Sequence, residues 1–149
     1  MDMNHLVYIS YAEHPFTDLE LVELLQKARE NNKRQQITGI LLYAQQRFIQ
    51  VLEGEEEEVR DLFERIAGDP RHRKVTVVLE GQHTQRMFSK WSMGFKSLTD
   101  FQFRDLSGYT SVEEFLQQQQ ITDDSHSVMI FLQLFYKKNF VDFPESISR

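Results

Sequence analysis

Three features of the sequence predict an α+β fold in which one mixed sheet carries two helices on a single face. Residues 37–54 hold two apolar runs folded back on each other across a polar turn at residues 44–47. Two stretches with helical spacing of their apolar residues each follow a strand or strand pair. The resulting order, β-α-β-β-α-β-β, is that of a ferredoxin-like arrangement, and the right-handed crossover rule leaves few other ways to connect it.

The first strand covers residues 5–11, a β-rich run closed by a polar turn with Pro15. Alternation puts Leu6, Tyr8 and Ser10 on one face and Val7, Ile9 and Tyr11 on the other. Thr17 opens a capping box with Glu20, and Leu21, Leu24, Leu25 and Ala28 continue it as a helix to about Glu30. Asn31 and Asn32 suit the helix end and turn that follow. After the hairpin, residues 55–58 are all glutamate; at a helix start their charge meets the positive end of the dipole, so the run reads as structural. Val59, Leu62, Phe63 and Ile66 form the buried stripe of the second helix, with Gly68 as C-cap and Pro70 just beyond. Residues 75–79 form the fourth strand and residues 87–95 the fifth, the latter with Trp91, Met93 and Phe95 on one face.

From about Thr99 the pattern changes, dividing the chain into a domain at residues 1–98 and a helical extension at residues 99–149. Ser111 and Glu114 form a capping box for a short helix that enters the glutamine tract at residues 117–120. Residues 127–140 carry Val128, Phe131, Leu132 and Phe135 at helical spacing, while Met129, Ile130 and Leu134 make that helix apolar on more than one side. Such a helix needs two surfaces: the open face of the sheet and a second subunit.

With 149 residues the chain can bury a core without staples, and with no cysteine it has no disulfide, thiolate metal site or cysteine nucleophile. No metal is expected, since His72 has no second ligand at a suitable spacing and reads as structural, orienting Asp69 or its loop. A net charge of -6 opposes a sequence-independent grip on phosphate backbones, so nucleic acid is not an expected partner. No run approaches ~18 apolar residues, and the first residues lack the basic start and apolar core of a signal peptide; the expectation is a cytoplasmic protein that does not enter a membrane.

Gln50 is the unusual residue of the hairpin. It sits among Phe48, Ile49, Val51 and Leu52, where an amide without partners costs about 1–3 kcal/mol, so something must be hydrogen-bonded to it. Either a core backbone or side-chain group or a ligand meets that need.

Tyr8 in the first strand, Asn31-Asn32, Ile37-Thr38-Gly39-Ile40-Leu41, Phe48-Ile49-Gln50-Val51-Leu52-Glu53-Gly54, Asp69-Pro70-Arg71-His72, and finally Phe88 and Trp91-Ser92-Met93 together resemble the BLUF family, the blue-light sensors using flavin. The likeness spans roughly residues 4–98 in the family's order and spacing. With no appended effector domain, the chain is similar to the short, single-domain branch of that family.

The resemblance implies a flavin, FAD most often with FMN or riboflavin as alternatives, held noncovalently between the two helices. The absence of cysteine excludes photochemistry through a cysteine–flavin adduct. Primary amides supply both a donor and an acceptor, which matches the alternating pyrimidine edge of a flavin. Asn32 is the matching position for anchoring that edge and Gln50 for contacting N5 and C4=O; Asn31 reads either as a further contact or as a C-cap and turn residue. Tyr8, on a strand neighbouring that of Gln50, is implied to bond the carboxamide and to give an electron and then a proton to light-excited flavin. Gln50 then rotates or tautomerises, and a red-shifted state persists until it reverts in the dark. Trp91 and Met93 resemble the residues that relay this state along the fifth strand. Arg29 and Arg65 are either phosphate ligands, as bidentate guanidinium groups, or solvated surface residues.

Such a chain is not expected to be an enzyme. It controls a separate downstream protein, and the apolar last helix suggests a homo-oligomer. If that helix serves only as an interface, Leu132→Asp disrupts assembly and spares the spectrum; loss of flavin assigns it to the core. The alternative function is a flavin-free ferredoxin-like regulatory or protein-interaction module. An acyl-phosphate hydrolase on the same fold ranks below both, because residues 11–15 supply neither the Gly nor the Arg of a phosphate cradle.

Overall fold

The computed structural model describes residues 3–44, 46–83, 85–88, 94–97 and 126–136. Its elements are β1 (Met3–Ala12), α1 (Asp18–Gln35), β2 (Thr38–Ala44), β3 (Arg47–Gly54), α2 (Glu56–Ala67), β4 (His72–His83), β5 (Gly94–Ser97) and α3 (His126–Tyr136). The strands form one sheet in the order β4-β1-β3-β2-β5. β1, β3, β4 and β2 pair antiparallel, and β5 joins β2 in parallel, so the sheet is mixed as expected. The central pair sets the register that matters most: Tyr8 on β1 lies opposite Gln50 on β3.

Alternation along the strands divides the core in two. Leu6, Tyr8, Leu41, Phe48 and Leu52 face α1 and α2, which contribute Leu21, Leu25 and Val59. Val7, Ile40, Leu42, Ile49 and Val51 face the other way and are covered by Phe88 and by Val128 and Leu132 of α3. The last helix therefore takes up the open face of the sheet. Leu132 is fully buried there, whereas Leu134 is 62% exposed. Of the two surfaces expected for this helix, the open face of the sheet is the one it meets here, so one side of α3 belongs to the core. The short helix expected near Ser111 lies outside the described residues.

Three elements differ most from the sequence reading, each for an identifiable physical reason. α1 continues five residues past Glu30, so Asn31 and Asn32 stand in its last turns rather than after it. Its end is made by Gln36 in the left-handed region (φ 56°), whose N–H donates to the carbonyls of Asn32 and Lys33, while Lys33 and Arg34 meet the negative end of the dipole. β4 is more than twice the expected length. It is an edge strand, where charged residues such as Arg73 and Lys74 are tolerated, and its register shifts against β1 mark bulges. Met87 and Phe88, expected to open the fifth strand, stand outside the described strand Gly94–Ser97, because their amides are taken by the Glu53 carboxyl group and not by a ladder.

Both helix starts follow their sequence signals. The Thr17–Glu20 capping box is complete, with Glu20 N–H donating to Thr17 Oγ1 at 3.1 Å and Thr17 N–H to Glu20 Oε1 at 2.9 Å. α2 has no side-chain cap and begins on Glu56, Glu57 and Glu58, consistent with carboxylates favouring a helix N-terminus. Gly68 closes it as the C-cap.

Candidate functional site

The helix face of the sheet does not close completely. Between α1 and α2 a cleft of about 220 Å³ reaches down to β1, β2 and β3. Its walls are apolar where the helices pack, with Leu24 and Ala28 on α1, Leu62 and Ile66 on α2, and Leu41 and Phe48 on the sheet. Polar groups converge at its floor and mouth: Tyr8, Gln50, Asn31 and Asn32, with Lys27, Arg65, Asp69, Arg71 and His72 around them. An apolar slot with a few placed hydrogen-bonding groups suits a planar heteroaromatic ring, and its volume is below the ~300–1,000 Å³ of most small-molecule sites. A larger cofactor would extend outside it. A second hollow shares Asn31 and Arg65 and adds Arg34, Gln35 and Asp61, which provides such an exit.

At the floor, the Tyr8 hydroxyl donates to Gln50 Oε1, both side chains being buried. This answers the demand that the sequence placed on the Gln50 amide oxygen. Burial pushes the Tyr8 phenol far above its usual range, and the Asp69 carboxylate pushes it further, so the hydroxyl keeps its proton. A phenol that always donates commits the amide oxygen of Gln50 to accepting from it, which fixes the orientation of the carboxamide. The Tyr8 ring packs against Phe63 at 5.7 Å and meets the His72 ring edge-on at 6.5 Å.

Asn32 is buried on the inner side of α1, placed there because the helix runs on past it. Its backbone carbonyl accepts from Ile37 N–H at 2.9 Å, which fixes the approach to β2. Asn31 is half-buried and accepts from Arg34 Nη2. Arg65 lines the cleft, donating to Gln35 Oε1 at 2.9 Å and pairing with Asp61 at 3.4 Å. Arg29 is not among the lining residues; burial alone lowers its guanidinium pKa. Trp91 and Met93 lie outside the described residues.

Sequence reasoning missed Lys27 and Arg71. Arg71 clamps Asp69 through its backbone N–H at 2.9 Å and through its guanidinium at 2.6 Å, and its charge lies over the Phe16 ring at 6.0 Å. The hydrogen bonds from Arg71 hold the Asp69 carboxyl below its usual range, so the cleft contains a neutralised ion pair and not a bare charge. The available signal was Asp69 before Pro70 and two positions before Arg71, the pattern of a turn in which the side chain accepts from the backbone.

His72 sits deeper than a loop histidine would. Its Nδ1 is 3.0 Å from Ser10 Oγ, and its ring packs on that of Phe48 at 4.9 Å with the planes tilted by 49°. Burial lowers its pKa from 6.5; Asp69 acts in the opposite direction and Arg71 reinforces burial. The folded state thus binds its proton less readily than the unfolded chain, and the stabilisation is present above the ordinary value of about 6.5 and lost as pH falls through the folded value. Thermal unfolding midpoints at pH 7.5 and 5.5 are expected to drop on acidification, and to drop less in His72→Gln. An equal drop in the variant would assign the acid sensitivity to other groups.

Comparison with known proteins gives one answer. The family model described as BLUF, sensors of blue-light using FAD, matches residues 3–94. The chain is 34% identical over 121 residues to the photoactivated adenylate cyclase subunit beta of Euglena gracilis, a match that covers 74% of this chain and 14% of the relative. It thus spans about a seventh of that protein's length. Among solved structures it resembles "BlrP1 BLUF" at 30% identity and a TM-score of 0.70, covering 95% of this chain and 92% of the other. It also resembles "BlrB - a BLUF protein, dark state structure" at 25% identity and a TM-score of 0.65, covering 89% and 95%.

Proposed function

The chain belongs to the BLUF family of blue-light sensors, which bind FAD, and from that premise we propose that Tyr8 and Gln50 are its photoactive pair. The observation that carries this is the buried bond from the Tyr8 hydroxyl to Gln50 Oε1 at the floor of a cleft that combines an apolar slot with amide side chains. Asn32, with Asn31 beside it, would anchor the polar edge of the ring, and Gln50 would contact its N5 and C4=O positions. Arg65 or Lys27 at the mouth faces the phosphates, with Arg29 the weaker candidate. FMN or riboflavin, which share the ring and lack the outer portion, fill the same slot.

When bound, the flavin supplies the blue-light absorption and the excited electron acceptor. Tyr8 supplies an electron, after which its hydroxyl proton becomes strongly acidic and leaves along the hydrogen bond towards Gln50. Gln50 changes its donor–acceptor pattern, and the new pattern lasts because the buried amide can be satisfied in two arrangements. Trp91 and Met93 follow on the output side. Residues 1–98 act as the sensor and residues 99–149 as an extension. The sensor acts on a separate cytoplasmic protein and carries no catalysis of its own. Ile130, Phe131 and Leu134, exposed apolar residues of α3, support a homo-oligomer.

The direct test is an absorption spectrum of the purified protein in the dark and after a blue flash. A flavin spectrum that moves slightly to the red and relaxes in the dark is the expected result. A protein that stays colourless when FAD is added would overturn the reading, and a yellow protein that does not shift would keep the cleft and reject the photocycle.

A further inference from the structure

Glu53 stands three positions beyond Gln50 on β3 and, by alternation, on the opposite face of the sheet. It is fully buried. A carboxylate in such a place must be hydrogen-bonded, and its partners come largely from the segment that precedes β5. Oε2 accepts from Met87 N–H at 2.9 Å, and Oε1 accepts from Phe88 N–H at 2.7 Å and from the Thr38 hydroxyl at 2.8 Å. Arg86 completes the attachment, donating to Thr38 Oγ1 at 2.9 Å, to the Glu53 carbonyl at 3.1 Å and to the carbonyl of Gln36 at 2.6 Å.

Residues 86–88 are thereby tied at one point to β3 and to the end of α1, the two elements that carry Gln50 and Asn32. Hydrogen bonds from two successive backbone N–H groups to the two oxygens of one carboxyl group hold that segment in place, but they weaken steeply once the strand beneath them turns or slides. Phe88 packs into the cluster under α3, so its backbone anchor connects the cleft side of the sheet with the outer side.

We propose that Glu53 is a positioning residue for the light response, its carboxylate holding the Met87 and Phe88 amides in the dark and loosening its hold when the hydrogen bonds of Gln50 change. The proposal rests on the photosensory reading above and adds the route by which the state of Gln50 leaves β3. Coupling of this kind needs an element with two arrangements, and a carboxylate shared between a strand and a neighbouring segment is one.

The experiment is residue-resolved amide hydrogen exchange on the full chain with FAD bound, in the dark and under continuous blue light, read beside the flavin spectrum. In the native protein, light is expected to speed exchange at Met87 and Phe88 by about tenfold, the scale of losing one bond to a charged acceptor. In Glu53→Gln, exchange at both amides is already fast in the dark and light adds nothing, while the red shift of the flavin is retained. Thr38→Val keeps the carboxylate and removes one of its supports, so it shows an intermediate dark rate and a smaller light effect. A native protein that shifts its spectrum without changing exchange at Met87 and Phe88 overturns this proposal and leaves the photosensory reading standing. So does a Glu53→Gln protein that keeps the full light–dark difference. If Glu53→Gln does not fold, the native and Thr38→Val measurements decide alone. A protein with no spectral shift at all overturns both.

Discussion

Tyr8→Phe is expected to give a protein that still binds flavin and whose spectrum does not move under blue light. The substitution keeps the ring, its packing against Phe63 and its edge contact with His72, and removes only the hydroxyl that donates to Gln50 Oε1. What is lost is the proton and the fixed orientation of the carboxamide. The stability cost is confined to a buried amide oxygen without that donor, about 1–3 kcal/mol, which leaves the fold intact for the spectrum to be read. Gln50→Leu is the complementary change: it keeps the electron donor and removes the group that changes its hydrogen bonds, and the shift is again expected to vanish completely. Dark and post-flash absorption spectra of both variants check this. A full red shift in Tyr8→Phe would mean that another group supplies the electron and proton, and a full shift in Gln50→Leu would remove the carboxamide from the mechanism.

Leu132→Asp is expected to separate α3 from the sheet or unfold the chain, at a cost of at least about 3 kcal/mol. Leu132 is fully buried against Val7, Ile40 and their neighbours. The variant loses the ~1.5–3 kcal/mol of leucine burial and must also bury a carboxyl group with no provision for it. Leu134→Asp, two positions along the same helix and 62% exposed, is expected to change folding stability by no more than about 0.5 kcal/mol. If the exposed side of α3 mediates self-association, that second variant shifts the oligomeric state alone. Urea unfolding and light scattering on the pair separate the two roles of one helix. Equal destabilisation by both substitutions would contradict the orientation of α3, and a harmless Leu132→Asp would remove the helix from the core.

The parts of the fold visible in the sequence are those with local causes. The capping box at Thr17, the glutamate-rich start of α2 and the alternation of Leu6, Tyr8 and Ser10 against Val7 and Ile9 each depend on near neighbours, and each stands where expected. The end of α1 was not visible, because a glutamine in the left-handed region is not a signal that residue preferences carry. That Met87 stands outside β5 was not visible either, since its amide is claimed by a carboxylate 34 positions away. Tyr8, Gln50 and Asn32 were found by their family pattern, whereas Lys27 and Arg71 enter the cleft only through the way the helices lean over the sheet.

By itself, then, the sequence determined the element order, the two faces of each strand, the family, and the presence of an amide in an apolar strand that required a partner. These follow from periodicities of 2 and 3.6 and from the cost of an unpaired polar group, which act at short range. The tertiary structure alone decided that it is the amide oxygen of Gln50 that accepts from Tyr8, that Asp69 reaches the cleft already paired with Arg71, and that Glu53 ties residues 86–88 to the strand of Gln50. Each of these joins side chains or segments through sheet register and helix packing, and a hydrogen bond made across tens of residues leaves no trace in the local pattern of either end.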